Sequence, residues 1–497
     1  IRDEDGNYHI PNRLSWDVEY YAKELLEMTE KEVGYLYPAD ENGNKPIAYY
    51  WARTAKCSNP SCGAEVPLLR QFYLANTSRN KIYLKPRISN RTISFVLENG
   101  ICNVEGWLNR CVLTCPCCGA ITTAETIKEQ FRKHKTGERL LAVIKEGNVR
   151  YSLPSAIDKI VLGEVKTDIP KPNELMPNND SQNLKIPLWG FKSFGDMFTN
   201  RQIQVLTTLV DKIKAISAQN DYSKCIKTYL AFIVDKTTDY YNSFCTWHLT
   251  RETIGHLFSK QAIPMVFDYA ETNVFSNSTG CLHNMIGWIC KYIEGESNIQ
   301  FNAKFDNASS GEKSQFAMKS VNAVVTDPPY YDAISYADLS DFFYIWLKRS
   351  VGDMYPITFS TPQTPKTEEC TAIKHRHHGS ASEAKLHFER KLTEIFDAIE
   401  YQTSDIVSIM FAHQSTEAWT TLCNSILGAR MNITGSWPMD TEMANRSLGL
   451  AGAALESSVT VACRPSERRG FGEYKEVKRD IESKVKEEVE SLYELGF

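Results

Sequence analysis

The chain has 497 residues, of which 42% are hydrophobic, 11% aromatic and 24% charged, and its formal net charge is −5. That length supports two to four globular units with sizeable cores. The acidic balance excludes a global basic field that would draw the protein to nucleic acid, so polyanion contacts must come from local patches; no apolar run is long enough to span a bilayer.

The start, Ile1-Arg2-Asp3-Glu4-Asp5, is charged and leads into no apolar stretch, which is not the pattern of a signal peptide; it also lacks an initiating methionine, as a piece of a longer product would. The 14 cysteines without an export signal point to a reducing, cytoplasmic setting in which thiols are free or bind metal. Residues 1–50 read as an N-terminal helix and loop. The helix spans 13–35, with Trp16, Tyr20, Ala22, Leu25, Leu26 and Met28 along a rough apolar stripe, and Pro38, Gly43 and Pro46 punctuate the loop at 36–48.

Residues 51–162 read as a cysteine-bearing, basic insertion. Cys57-x4-Cys62-Gly63 and Cys115-x2-Cys118-Gly119 are two close pairs, each followed by glycine. Tetrahedral zinc takes four thiolates, tight turns supply two each, and glycine allows the positive φ that such turns need. The spacing predicts a structural zinc ribbon ligated by Cys57, Cys62, Cys115 and Cys118, with Cys117 as an alternative partner for Cys115 and the long stretch between the pairs as an insertion. Lys81 to Leu97 alternates like a strand, and 125–139 reads as a basic helix. Arg70, Arg79, Lys81, Lys85, Arg87 and Arg91, then Lys128, Arg132, Lys133, His134 and Lys135, either contact phosphates or form a solvated charged face.

Residues 163–187, rich in proline and asparagine, read as a linker or long surface loop. In 188–300, two apolar faces of helical period (Ile203 to Ile216 and Ile226 to Thr237) predict a helical block. In 301–465 the rhythm changes. Val321–Thr326 is a short apolar run expected of a strand covered on both faces, followed by helices at 335–350 and 381–402, a strand at 406–412, a helix at 415–428, and strands at 432–437 and 457–463. That order implies an α/β sheet with an antiparallel edge pair. Residues 466–497 are highly charged, with Tyr474, Val477, Ile481, Val485, Val489 and Leu492 near heptad spacing, and read as a surface or partner-binding helix. His375, His377 and His378 sit in a polar loop with no partner pair and are not read as metal ligands.

The chemistry is concentrated in Asp327-Pro328-Pro329-Tyr330, directly after the first strand of that sheet. Ligands of open α/β sheets bind beyond the carboxyl ends of strands. Two prolines stiffen the loop, so a carboxylate and a backbone carbonyl can present two acceptors, with an aromatic ring close by. Such a set suits the exocyclic amine of a flat heterocycle: acceptors on both hydrogens favour a pyramidal nitrogen, and Tyr330 can stack on a base extruded from a duplex.

At this point the sequence resembles the adenine-specific DNA methylases that contain a zinc ribbon. The resemblance rests on Thr326-Asp-Pro-Pro-Tyr-Tyr-Asp332, Tyr336-Ala-Asp-Leu-Ser-Asp-Phe-Phe-Tyr344, Phe411-Ala-His413 with Thr416-Glu-Ala-Trp419, Trp437-Pro-Met-Asp-Thr-Glu-Met443, and Gln261-Ala-Ile-Pro-Met265 with Asp268-Tyr-Ala-Glu271, and it covers nearly the whole chain. It implies a Rossmann-like methyltransferase sheet, S-adenosylmethionine as methyl donor, double-stranded DNA as partner, and adenine-N6 methylation at Asp327, Pro328, Pro329 and Tyr330. Members are associated with modification and phage-defence clusters. The glycine-rich Asp-Pro-Phe-x-Gly-Gly-Gly cofactor loop of the family is not found, and Gly449-Leu-Ala-Gly452 lies too late in the chain to replace it. The sheet is therefore expected to be incomplete in this chain, the cofactor loop to come from a missing N-terminal portion or a second polypeptide, and S-adenosylmethionine to bind this chain alone weakly or not at all. Two other readings stay open: a cytosine-N4 methyltransferase, and a non-catalytic zinc-ribbon subunit that binds DNA or assembles a modification or defence complex.

Overall fold

The computed structural model describes residues 12–147, 150–177, 183–296, 303–439, 458–466 and 473–494. The charged start and Gly449–Gly452 lie outside them, as does the end of the run from Trp437. The chain is mixed α/β and divides into two compact units, residues 1–303 with 334–369 and residues 304–333 with 370–497.

The first unit opens with α1 (Arg13–Val33), capped by the Asn12 side chain. The long strand β1 (Pro46–Lys56) is the spine of its main sheet, with β2 (Glu65–Pro67) paired to its end. A three-stranded meander follows, β3 (Tyr73–Asn76), β4 (Lys81–Ser89) and β5 (Thr92–Asn99), then a small sheet of β6 (Leu108–Asn109), β7 (Val112–Thr114) and β8 (Ile121–Thr122). The single strand-like run expected at 81–97 is thus a hairpin. It reverses at Asn90 and Arg91, whose φ values of 47° and 66° fit a primed two-residue turn. Period-2 alternation continues through such a turn, so it does not reveal the reversal.

α2 (Ala124–Arg132) ends earlier than the helix expected at 125–139, because Glu138–Lys145 becomes β9, the antiparallel neighbour of β1. β10 (Tyr151–Ser152) and α3 (Ala156–Glu164) follow. The proline-rich stretch after α3 is not a free linker: Met176, Leu184 and Ile186 are buried in it. α4 (Asn200–Ala215) and α5 (Asp221–Tyr240) match the expected helical block, and each starts at a capping box, Thr199 with Gln202 and Asn220 with Ser223. β11 (Thr246–His248) and β12 (Thr253–Gly255) form a hairpin, β13 (Asp268–Thr272) pairs with β1, and α6 (Leu282–Gly295) packs on α1.

The second unit holds β14 (Val321–Thr326), α8 (Ala381–Gln402), β15 (Thr403–Phe411), α9 (Thr416–Gly428), β16 (Met431–Met439), β17 (Ser458–Pro465) and α10 (Tyr474–Glu494). Its sheet has the order β14-β15-β17-β16; β14 and β15 are parallel, and the other two pairings are antiparallel. The expected succession of elements and the antiparallel edge pair are present. α7 (Tyr336–Val351), which chain order placed within this part, groups with the first unit and packs on α4 and α5.

One expectation is corrected. β14 is not covered on both faces: it is an edge strand, Asn322 and Ala323 are exposed, and Val325 is 84% exposed. An apolar strand left open on its outer edge and one face is an unfinished surface by the usual rules for sheet edges.

No helix among the described residues is long and apolar enough to cross a membrane.

Candidate functional site

The Cys57, Cys62, Cys115 and Cys118 sulfurs all lie within 4.8 Å of one another. Cys57 and Cys118 are 3.6 Å apart and Cys62 and Cys115 3.9 Å. Four thiolates around a tetrahedral zinc at about 2.3 Å would sit about 3.8 Å apart, so the spacing fits. Local backbone makes the cluster. The amides of Cys62 and Gly63 both donate to the Asn59 carbonyl, that of Gly119 donates to Cys115, and Gly63 and Gly119 have φ of 57° and 77°. Burial pushes the Cys57 thiol up to about 12, whereas the Ala120 backbone N–H beside Cys118 pulls that thiol down to about 7. The four cysteines could hold a metal ion, and the all-sulfur set is compatible with structural zinc, since four protein ligands leave no open position. Cys117, Cys102 and Cys111 are outside the set. The stretch between the pairs is the insertion, carrying the β3-β4-β5 meander.

The basic residues near this centre divide into two groups. Lys128, Arg132 and Lys133 pair with Glu125 and Glu129 on their own helix, and Lys85 pairs with Glu98 across the hairpin. Arg87 and Arg91 are exposed at the β4-β5 turn and Arg79 at the opposite end of the meander, in the β3-β4 turn, and among the described residues no carboxylate bridges them.

In the second unit, β14 delivers Asp327 at its carboxyl end. Asp327 is exposed, Pro328 is buried, and Pro329 and Tyr330 are half-buried. The Tyr330 hydroxyl donates to Asp327 Oδ1 at 2.7 Å, and among the described residues no ion pair engages this carboxylate. The Tyr330 ring stands edge-on to Phe411 at 5.5 Å, and Phe411 stands edge-on to Trp419 at 5.1 Å. Tyr331 turns the chain with a φ of 54°, costly for a non-glycine residue, and its carbonyl is held by the Ala372 amide at 2.9 Å.

Sequence reasoning assigned no role to a pair found here. His413 Nε2 faces Asp332 Oδ1 at 3.3 Å, and His413 Nδ1 receives the Ser415 backbone N–H at 3.0 Å. A backbone N–H can only donate, so Nδ1 is unprotonated and the ring proton sits on Nε2, toward Asp332. The bond ties the turn after β14 to the end of β15. In sequence, Asp332 and His413 each close a run that carries the resemblance, but nothing there joins one to the other. The His413 hydrogen bond holds the Asp332 carboxyl below its ordinary range. Because folding lowers this pKa, the stability it brings is present above the ordinary aspartate range and is lost as pH falls through the folded value. Asp332→Asn is expected to destabilise the protein at neutral pH, with the gap from wild type closing below about pH 4. Urea unfolding over a pH series checks this, and a gap that widens in acid overturns it.

Two of the quoted runs, Thr326–Asp332 and Phe411–Trp419, therefore meet at the carboxyl ends of the parallel pair. Two others serve packing in the first unit. Asp341 of α7 is fully buried, accepting from the Thr364 amide at 2.8 Å and pairing with Lys366 at 2.7 Å. Asp268 accepts the Tyr50 hydroxyl at 2.7 Å, and Glu271 is locked to Arg201. Among the described residues, the only group of histidine, cysteine or acidic side chains placed to hold a metal is the cysteine cluster; the 375–378 histidines form none. A scan of family models, a search of curated proteins and a search of solved structures find no significant match to this chain.

Proposed function

We propose that this chain is the target-base-binding part of an S-adenosylmethionine-dependent DNA adenine-N6 methyltransferase whose first unit carries a structural zinc ribbon. The observation that carries the reading is the exposed Asp327 carboxylate at the carboxyl end of a parallel strand, on a Pro-Pro loop with the Tyr330 ring against it. Ligands of α/β sheets bind at such strand ends.

The chain's own residues account for binding and orientation. For a base to enter, the Tyr330 hydroxyl must release Asp327 Oδ1, which then accepts one amine hydrogen. The Pro328 carbonyl is the candidate for the other, its position fixed by the ring of Pro329. Tyr330, braced by Phe411 and Trp419, offers a face for the extruded base. Asp332 and His413 hold the loop on the end of β15.

The described residues do not include a cradle for S-adenosylmethionine: among them no glycine-rich loop follows a strand of the second unit. A ligand of an open sheet sits where the strand order reverses, and β14 has that edge open. The reading therefore assigns the cofactor loop to a further segment or polypeptide that pairs with β14. The exposed Arg79, Arg87 and Arg91 are the candidate phosphate contacts for double-stranded DNA.

The test adds a segment or polypeptide that carries the cofactor loop and measures N6-methyladenine in DNA by mass spectrometry. Asp327→Ala is expected to lower the rate at least about 100-fold, the usual scale for losing a group that aligns the reacting atom. Equal rates for wild type and variant defeat the assignment. N4-methylcytosine as product would move the reading to cytosine. The Tyr330–Asp327 bond also suits a non-catalytic DNA-binding subunit, because it closes the carboxylate off; DNA binding with no methylation under any supplementation would favour that reading.

A further inference from the structure

The helix α10 carries an observation that the methylase reading does not use. It runs for 21 residues, Tyr474–Glu494, and every one of its described side chains is exposed. Its ion pairs run along its own axis, Lys478 to Glu482 and Lys486 to Glu490. Yet it is not polar all round. Val477, Ile481, Val485 and Val489 are 44%, 56%, 55% and 58% exposed, and with Tyr474 and, in sequence, Leu492 they recur at steps of three or four. At about 100° per residue these steps keep all six within roughly one third of the circumference. A solvated helix of this length with an open apolar stripe is marginal by itself, so the stripe has an occupant.

Two features say which. The steps of the stripe (three, four, four, four, three) read the same in both directions from its midpoint. A second copy laid antiparallel at a shallow crossing of about +20° therefore sets apolar residue on apolar residue along its whole length. The charge is polar along the axis as well. Among the last eight residues the only charges are Glu487, Glu488, Glu490 and Glu494, whereas the first eight carry Lys475, Lys478 and Arg479 against Glu476 and Asp480. Antiparallel pairing places the acidic end on the net-basic end, and parallel pairing stacks acidic on acidic.

We propose that the chain self-associates through α10, two copies pairing antiparallel about a two-fold axis. Such an interface is isologous: the same patch meets itself, and the assembly closes at two.

The test is sedimentation velocity on the full chain over a wide concentration series. Wild type is expected to pass from monomer to dimer. Ile481→Glu with Val485→Glu buries like charges in the seam and is expected to weaken association at least about tenfold. Its thermal melt should otherwise match wild type, because the side chains of α10 are exposed. Glu487→Lys, Glu488→Lys and Glu490→Lys together reverse the sign of the acidic end. An antiparallel pair is weakened by that change, because net-basic ends then face each other; in a parallel pair like charges face each other before and after it. A wild type that stays monomeric means that something other than its own copy covers the stripe, and overturns the proposal. So does a dimer indifferent to Ile481→Glu and Val485→Glu, or one that the three lysine substitutions do not weaken.

Discussion

Cys115→Ala is expected to abolish metal binding at the cysteine cluster and to cost the first unit about 5 kcal/mol or more of stability. Cys57, Cys62 and Cys115 are not surface ligands. They are buried in a continuous core with Val66, Leu68, Leu113 and Ile127, so a lost ligand strands three thiolates, two of them buried, with no cation between them. Like charges that close cannot all ionise in a low-dielectric setting. The site must then protonate or open, and opening exposes the apolar residues packed around it. Purified wild type should contain one metal ion per chain by elemental analysis, zinc on the proposed reading, and a strong chelator should reproduce the variant's loss of stability. A wild type without metal, matched in stability by Cys115→Ala, rules the metal centre out.

Glu271→Ala is expected to cost about 3–5 kcal/mol. Arg201 and Glu271 are 2% and 1% exposed. The guanidinium meets the carboxylate through two bonds, Nε to Oε1 and Nη2 to Oε2, both 2.8 Å. Its remaining faces are taken by the Leu36 carbonyl at 3.1 Å and by the Tyr37 and Tyr49 rings, 4.7 and 4.1 Å from the guanidinium carbon. Thr199 and Trp51 complete the carboxylate's shell at 3.1 and 3.0 Å. Removing the carboxylate leaves a dry, unpaired cation, whereas removing both charges does not. The double change Arg201→Met with Glu271→Leu should therefore lose less than Glu271→Ala alone. Urea denaturation of the single and double variants measures the difference, and a double variant worse than the single would show that packing, not charge, sets the cost.

The place of Glu271 bears on the site, because it closes the run Asp268-Tyr-Ala-Glu271, which carried part of the resemblance in sequence. All three of its polar side chains are used to fasten β13 into the first unit. Asp268 holds Tyr50, Tyr269 donates to Glu138 at 2.9 Å, and Glu271 holds Arg201. The proposed base-binding groups lie instead where Thr326–Asp332 and Phe411–Trp419 converge.

What the sequence determined by itself is what depends on near neighbours in the chain. The two cysteine pairs with their glycines are tight turns, and spacing picked out the four cysteines that cluster, leaving only Cys117 open as an alternative to one of them. α4 and α5 follow from a 3.6-residue period and their capping boxes, and the Pro-Pro stiffness of the loop after β14 is covalent. Only the tertiary structure decided which elements share a surface. It set β13 against β1, joined Arg201 to Glu271 and Asp332 to His413, gave α7 to the first unit, and left Val325 on an open edge. The reason is physical: an apolar run such as Val321–Thr326 states that burial is favourable, but not what will cover it, and a buried charge states that it needs a partner, but not from how far along the chain the partner comes.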